Sequence, residues 1–338
     1  MKYLVTGGCG FIGVNFAERL LARGDRVVLL DNLSRKGTAL NLEYIKKLYP
    51  QVEFVHADIR CDNEKMQRAV ENVDVVFHLA GQVAVTTSVT DPREDFDINA
   101  LGTFNLLEAV RKSQSKPALL YASTNKVYGG MEDLKIVERN NRYDYDHLPL
   151  GVSENMLLDF HSPYGCSKGM ADQYVRDYSR IYGLKTAVLR QSCIYGTRQF
   201  GIEDQGWVAW FTIASTLNKK ISIYGDGKQV RDVLFVDDLF DAWDLCVQNI
   251  DQSKGQIYNV GGGRKYTLSL LELLSFLEDF HGKKIEYDFA DWRPGDQPVY
   301  ISDINKIKKD LGWEPKISVA NGVKTLHRWV VENKNLFT

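Results

Sequence analysis

Short apolar runs rich in β-branched residues alternate with stretches in which apolar side chains return every three or four positions, and this alternation fills the first 190 residues. The pattern predicts strands at 3–6, 27–30, 53–56, 75–79, 118–123 and 186–189. Helices are predicted between them over 14–22, 64–70, 99–111 and 164–182, with Phe16, Leu20 and Leu21 marking the apolar stripe of the first. Strand and helix in regular succession are the sequence form of βαβ units. The expected fold class is therefore α/β, a Rossmann-type doubly wound parallel sheet, with a smaller C-terminal domain.

Beyond Arg190 the rhythm becomes irregular. A glycine- and aromatic-bearing stretch covers 196–210, Tyr224-Gly225-Asp226-Gly227 reads as a turn, and an amphipathic helix is expected over 268–280. Residues 1–189 are expected to form a dinucleotide-binding domain. Residues 190–338 mainly hold a second ligand, with 233–260 returning to the first domain and 233–244 as a strand and helix. The polar segment 133–158, rich in Asp, Asn and Tyr, is expected to be a loop beside the active site.

Composition narrows the function class. With 44% hydrophobic and 25% charged residues in 338, the chain reads as an ordinary globular protein and not as a disordered, collagen-like or coiled-coil one. Forty-two basic against 44 acidic residues leave a net charge of -2, which argues against general nucleic-acid or anionic-membrane binding. Apolar runs such as 73–80 are broken by Asp74 and His78, so no membrane span is expected. Residues 1–5 lead straight into a glycine cluster, so no signal peptide is expected either. Five cysteines without a CxxC pair suit a reducing cytoplasm, and six histidines with no ligand spacing argue against a metal.

Gly7, Gly10 and Gly13 stand directly after the first strand and before the first helix. Glycines there permit a tight turn, close approach of the backbone to a pyrophosphate, and close helix packing, while the helix N-terminus offers N–H donors. Asp31 ends the second strand, where a carboxylate accepts both adenosine ribose hydroxyls and repels a 2′-phosphate, favouring NAD over NADP. Arg35 and Lys36 act against that preference, because a cation there balances a phosphate.

Tyr164 and Lys168, four apart at the start of a helix, share one face. A phenol of reference pKa ~10 is a poor base at neutral pH, but a neighbouring ammonium and an oxidised nicotinamide both favour the phenolate. Thr124, at the carboxyl end of the strand at 118–123, is placed to hydrogen-bond the same substrate hydroxyl.

Gly7, Gly10, Gly13, Asp31, Asp58-Ile59, Leu79-Ala80-Gly81, Asn99, Thr124, Tyr164 and Lys168 together resemble the extended short-chain dehydrogenase/reductases that modify nucleotide sugars, over essentially the whole chain. The resemblance implies a cofactor set of Gly7, Gly10, Phe11, Ile12, Gly13, Asp31, Asn32, Ser34, Arg35, Asp58, Ile59, Leu79, Ala80, Gly81, Gln82, Asn99, Ser123, Tyr164 and Lys168. Asp58 and Ile59 would flank the adenine, Ala80 and Gln82 would lie along the inner half of the cofactor, and Asn99 would help hold it. The plainer reading makes Asp58 a strand cap and Asn99 a helix cap.

The two residues after Thr124 separate the possible reactions. Dehydratases of this family place an Asp-Glu pair there, and this chain has Asn125-Lys126. The segments 123–129, 161–169 and 204–207 are similar to the CDP-tyvelose (CDP-paratose) 2-epimerase branch. That similarity implies an NAD-dependent isomerase that oxidises carbon 2 of a CDP-linked hexose or deoxyhexose and returns the hydride to the opposite face. A UDP-sugar 4-epimerase is the alternative, and a cofactor-sensing binding protein without chemistry a more distant one.

By the same resemblance Val85, Thr86, Thr124, Asn125, His161, Ser162 and Gln205 line the sugar pocket. Arg231 and Arg293 hold the diphosphate, and Asp296 takes ribose hydroxyls. The alternative for the arginines is a surface ion pair. Cys193 stands where 4-epimerases usually have Asn, so the contact there stays open. Trp207, Trp210 and Phe211 read first as helix packing. A homodimer built on the helices at 99–111 and 164–182 is the family expectation.

Overall fold

Seven parallel strands form the central sheet of the computed structural model, which describes residues 1–293 and 296–337. They are β1 (Lys2–Thr6), β2 (Arg26–Asp31), β3 (Glu53–His56), β4 (Val75–His78), β5 (Ala118–Thr124), β6 (Thr186–Gln191) and β7 (Ile257–Val260), in the order β7-β6-β5-β4-β1-β2-β3. The order reverses between β1 and β4, where Val5 pairs with Phe77. In an open α/β sheet that reversal leaves a crevice at the strands' carboxyl ends, and ligands bind there.

The strands are apolar nearly throughout because both faces are covered. Tyr3, Val5 and Phe77 face one side, packed with Phe16 of helix Phe11–Ala22 and Trp243 of helix Val236–Gln248. Phe16, Phe77 and Trp243 meet edge to face, with centroids 5.1–5.8 Å apart. Leu4, Val76 and Leu119 face the other side, against Met66, Leu106 and Val175. Burying each such side chain contributes roughly 1.5–3 kcal/mol.

Several elements differ in detail from the sequence expectation. Strands β2, β5 and β6 run one or two residues further, to Asp31, Thr124 and Gln191, because polar residues at a strand end still make ladder hydrogen bonds. Helix Thr38–Leu48 goes unpredicted because a glycine at the left-handed φ of 85° opens it and a polar Asn41 sits on its buried face. The helix expected over 99–111 is really Gly102–Lys112, entered through a π turn at Asp97–Leu101 and a short helix at Pro92–Phe96.

The segment 133–158 is no simple loop. Ile136–Arg139 and Arg142–Tyr145 pair as an antiparallel hairpin whose tip, Asn140-Asn141, takes φ of 53° and 60°. Two left-handed residues in a tight turn suit Asn. Tyr145 and Val152 close a third apolar cluster with Val230 and Tyr300. Within 233–244, Leu234–Phe235 pairs with Ile194–Tyr195 in a separate ladder, and residues 257–260 are the strand that joins the central sheet.

Candidate active site

The crevice opens into a cleft of about 660 Å³ over the carboxyl ends of β1, β2, β4, β5 and β6. Gly7, at φ 65°, turns the chain out of β1, and a Cβ there would lie 2.7 Å from the Ala80 amide nitrogen. A Cβ on Gly13 would meet the Gly7 carbonyl at 2.3 Å, so the turn and helix Phe11–Ala22 pack too closely for any side chain. The result is a backbone cradle with the helix N-terminus aimed into it.

Asp31 is buried at one end of the cradle. Its Oδ2 accepts from the Cys9 amide (3.0 Å) and its Oδ1 from the Leu33 amide (2.8 Å). Burial raises its pKa, and those two hydrogen bonds pull it back. Each oxygen keeps further acceptor capacity for a ribose hydroxyl. Asp58 is gripped by Arg60, whose hydrogen bonds hold the carboxyl at about 2, and it also accepts from Asn32 Nδ2 at 3.0 Å. Arg35 reaches across to Gln205, a contact that closes the cleft from the side of the segment 196–207.

At the other end, Ser162 caps helix Pro163–Tyr182, its hydroxyl accepting from the Gly165 amide at 3.0 Å. That cap sets the helix so that Tyr164 and Lys168, both buried, face the end of β5. Burial pushes Tyr164 up to about 12, against a hydrogen bond from Thr124. Burial likewise pulls Lys168 down to about 7, with Asp95 and Asp172 acting the other way, and its ammonium donates to the Ala122 carbonyl at 2.6 Å.

Of the residues expected to hold cofactor or substrate, Gly7, Gly10, Phe11, Ile12, Gly13, Asp31, Asn32, Ser34, Arg35, Asp58, Ile59, Leu79, Ala80, Gly81, Gln82, Ser123, Thr124, Asn125, Tyr164, Lys168, Cys193 and Gln205 all line this one cleft. Asn99 lies just behind it. Its Oδ1 accepts from the Gln82 amide at 3.0 Å and its Nδ2 donates to Asp95 and Ser167.

Eight residues stand elsewhere or do other work. Val85 and Thr86 open a short helix while their neighbours Ala84 and Thr87 line the cleft; the buried Thr86 hydroxyl has no partner among the described residues. His161 is exposed, and Ser162 is occupied as the helix cap. Arg231 is paired to Asp296 at 2.7 Å. Arg293 is paired to Asp204 at 3.0 Å and stacked on Tyr224. Asn99 completes the eight.

The supports behind these residues carry little local sequence signal. His78, fully buried at the end of β4, sits between Thr6 (2.7 Å) and Thr103 (2.9 Å), and Thr103 in turn donates to the Asn99 carbonyl. Burial, reinforced by Lys168, drops the His78 pKa to about 3 and keeps the ring neutral. Thr103 spends its only proton on Asn99, so the ring carries its proton on Nε2 and accepts from Thr6 on Nδ1. Asp172 follows Lys168 by one turn and holds Ser123 and Arg190; that spacing of four was the available signal. Trp207 lines the cleft at the head of helix Trp207–Thr216, and Phe211 packs on it from within the helix. Cys193 carries the left-handed φ of 32°, a strained backbone at the cleft wall.

A dinucleotide cradle at the switch point, with a Tyr-Lys pair and a threonine meeting at its inner end, defines a Rossmann-fold enzyme of the short-chain dehydrogenase/reductase class. The family model described as GDP-mannose 4,6 dehydratase matches residues 4–326, and the chain belongs to that family. It is 47% identical to CDP-paratose 2-epimerase of Salmonella typhi, across 97% of this chain and 99% of that one. It is 35% identical to a putative UDP-glucose 4-epimerase of Methanocaldococcus jannaschii, across 98% of each. Among solved structures, the UDP-glucose 4-epimerase of Thermotoga maritima with UDP-glucose superposes with a TM-score of 0.83 at 32% identity, covering 99% of this chain and 100% of that one.

Proposed function

We propose that the protein is an NAD-dependent epimerase that inverts carbon 2 of a CDP-linked sugar, of the CDP-paratose to CDP-tyvelose type. The observation that carries this reading is the meeting of Thr124, Tyr164 and Lys168 at the inner end of the dinucleotide cleft, followed by Asn125-Lys126 and not by acids. Full-length similarity to CDP-paratose 2-epimerase supports the position and the base.

The residues fit the cofactor. The glycine cradle leaves room for a pyrophosphate, and Asp31 offers the acceptors a ribose diol needs. NAD, when bound, supplies a hydride acceptor next to the sugar and a positive ring that favours the phenolate of Tyr164. Tyr164 then takes the proton of the sugar hydroxyl and later returns it. Lys168 stabilises the phenolate, and Thr124 holds the reacting oxygen by hydrogen bond. Neither Asn125 nor Lys126 offers the carboxylic acid needed to expel a neighbouring hydroxyl. The keto-sugar is left to turn over and be reduced on its other face while its diphosphate stays anchored.

Residues 1–189 with β7 act as the cofactor half and most of the remainder as the sugar-nucleotide half. Exposed Phe104, Tyr174, Ile181 and Tyr182 on helices Gly102–Lys112 and Pro163–Tyr182 support a homodimer through those helices. Five free thiols suit a reducing cytoplasm.

Incubation with CDP-paratose in deuterated water tests the reaction. Interconversion with CDP-tyvelose without deuterium at carbon 2 is the expected result; no interconversion, or solvent deuterium at that carbon, overturns it. Product analysis with UDP-glucose separates the 4-epimerase reading.

A further inference from the structure

Three charged groups meet just beyond Thr124. Arg231 Nη2 lies 2.7 Å and Lys126 Nζ 3.9 Å from the same Oδ1 of Asp296, which also accepts from the Gln297 amide at 3.1 Å. The cluster adjoins Cys193 on the cleft wall, whose thiol feels Arg231 and Lys126 and, in the opposite sense, the buried Asp232. Two cations thus converge on one carboxylate oxygen in a place largely withdrawn from water.

The Lys126 backbone is fixed on both sides. Its amide donates to Thr124 Oγ1 at 3.2 Å, and its carbonyl meets the catalytic helix so closely that a Cβ on Gly165 would lie 3.1 Å from it. Its side chain therefore starts two residues from the hydroxyl that holds the reacting oxygen, whereas Arg231 approaches Asp296 from the strand Val230–Asp232 in the other half of the molecule. Burial and the charge of Arg231 bring Lys126 down to about 8, so the ammonium persists at neutral pH.

We propose that Lys126 is a substrate-positioning residue that binds the sugar-proximal phosphate of the nucleotide sugar, sharing Asp296 with Arg231 as a common counter-ion. Before substrate arrives, Asp296 is the counter-ion that both cations share. The Lys126 ammonium has three donors, so it holds the phosphate while still facing Asp296, and Asp296 does not stand unpaired in a buried site, where an uncompensated charge is costly, when Arg231 turns to the diphosphate. The two cations meet the phosphate beside the sugar, the pivot about which the keto-sugar must turn. The inference rests on the nucleotide-sugar reading above.

Calorimetry on the NAD-retaining protein, with CDP and CMP as probes, tests it, since only CDP carries the sugar-proximal phosphate. Lys126→Met is expected to weaken CDP about tenfold or more and CMP by less than about threefold, while Lys126→Arg keeps CDP within about threefold, because a charge-assisted phosphate contact is lost in the first variant only. Lys126→Gln serves as a second neutral variant, and far-UV circular dichroism establishes that each is folded. Equal losses for both nucleotides, or none, overturn the role of Lys126. If the unaltered protein binds neither CDP nor UDP, the nucleotide-sugar reading falls as well; if it binds CDP and the CDP-to-CMP ratio is insensitive to Lys126, only the present inference falls.

Discussion

Arg190 of β6 and Asp172 of helix Pro163–Tyr182 form a two-point ion pair, 2.9 and 3.0 Å long, with both side chains essentially shut off from solvent. Asp172 Oδ2 also accepts from Ser123 at 2.7 Å, and Arg190 donates to Tyr128, whose hydroxyl continues to Asn259 of β7. One pair thus fastens the strand end carrying Thr124 to the helix carrying Tyr164 and Lys168. Removing one partner strands a buried charge, so Arg190→Met should cost about 3–5 kcal/mol of stability. Chemical denaturation measures this; a loss under about 1 kcal/mol would contradict the pair's structural role.

The neutral ring of His78 gives a pH dependence with a definite sign. Its folded pKa of about 3 lies below the unfolded value of about 6.5. Above pH ~6.5 both states hold a neutral ring, and the group makes no difference. As pH falls below that value, the unfolded chain binds a proton that the folded chain refuses, and stability drops until about pH 3. Between pH 7 and 5 the loss from this one group is about 2 kcal/mol. Denaturation of His78→Gln across that range should show a correspondingly flatter profile, and an equal slope would remove His78 as the cause.

Gly13→Ala should lose both stability and cofactor, because the new methyl would lie 2.3 Å from the Gly7 carbonyl and push the cradle open. Overpacking of this kind costs about 1–3 kcal/mol. Extracting and quantifying NAD from the purified variant, alongside its melting temperature, checks both halves. Full NAD occupancy would be the contrary result.

Tyr164→Phe should lower turnover by about 10²–10⁴, the usual worth of a positioned acid–base group, with bound NAD retained. The phenol oxygen has Thr124 as its hydrogen-bonding neighbour, so deleting it leaves the fold intact. Activity within about tenfold of the parent would take Tyr164 out of the proton transfer.

The sheet could be read from the chain because its strands are apolar on both faces, and the glycine cradle because positions 7, 10 and 13 sit between a strand and a helix. The supports behind the cleft leave little trace in the chain. His78, Asp172 and Arg190 come from separate elements, and nothing in their local sequence says that they are buried or meet. The hairpin at Ile136–Tyr145 reads as a loop from its residues because its strands are short and polar, and its turn depends on two left-handed Asn residues. Arg231 and Asp296, assigned to separate parts of the substrate, are 65 positions apart and come together only in the fold.

Strand β7 completes the central sheet beside β6, yet it lies at Ile257–Val260, after the chain has passed through the segments that carry Trp207 and Arg231. During synthesis the first 191 residues can assemble six strands, but β6 stays an open edge until roughly 70 more residues have emerged, and open edges invite pairing with other chains. The late strand therefore acts as a closing step: Asn259 on it delivers the last link to Tyr128 and Arg190, and the network behind Thr124 locks only when most of the polypeptide is present. Premature termination near residue 191 should give an aggregating product and not a smaller working enzyme.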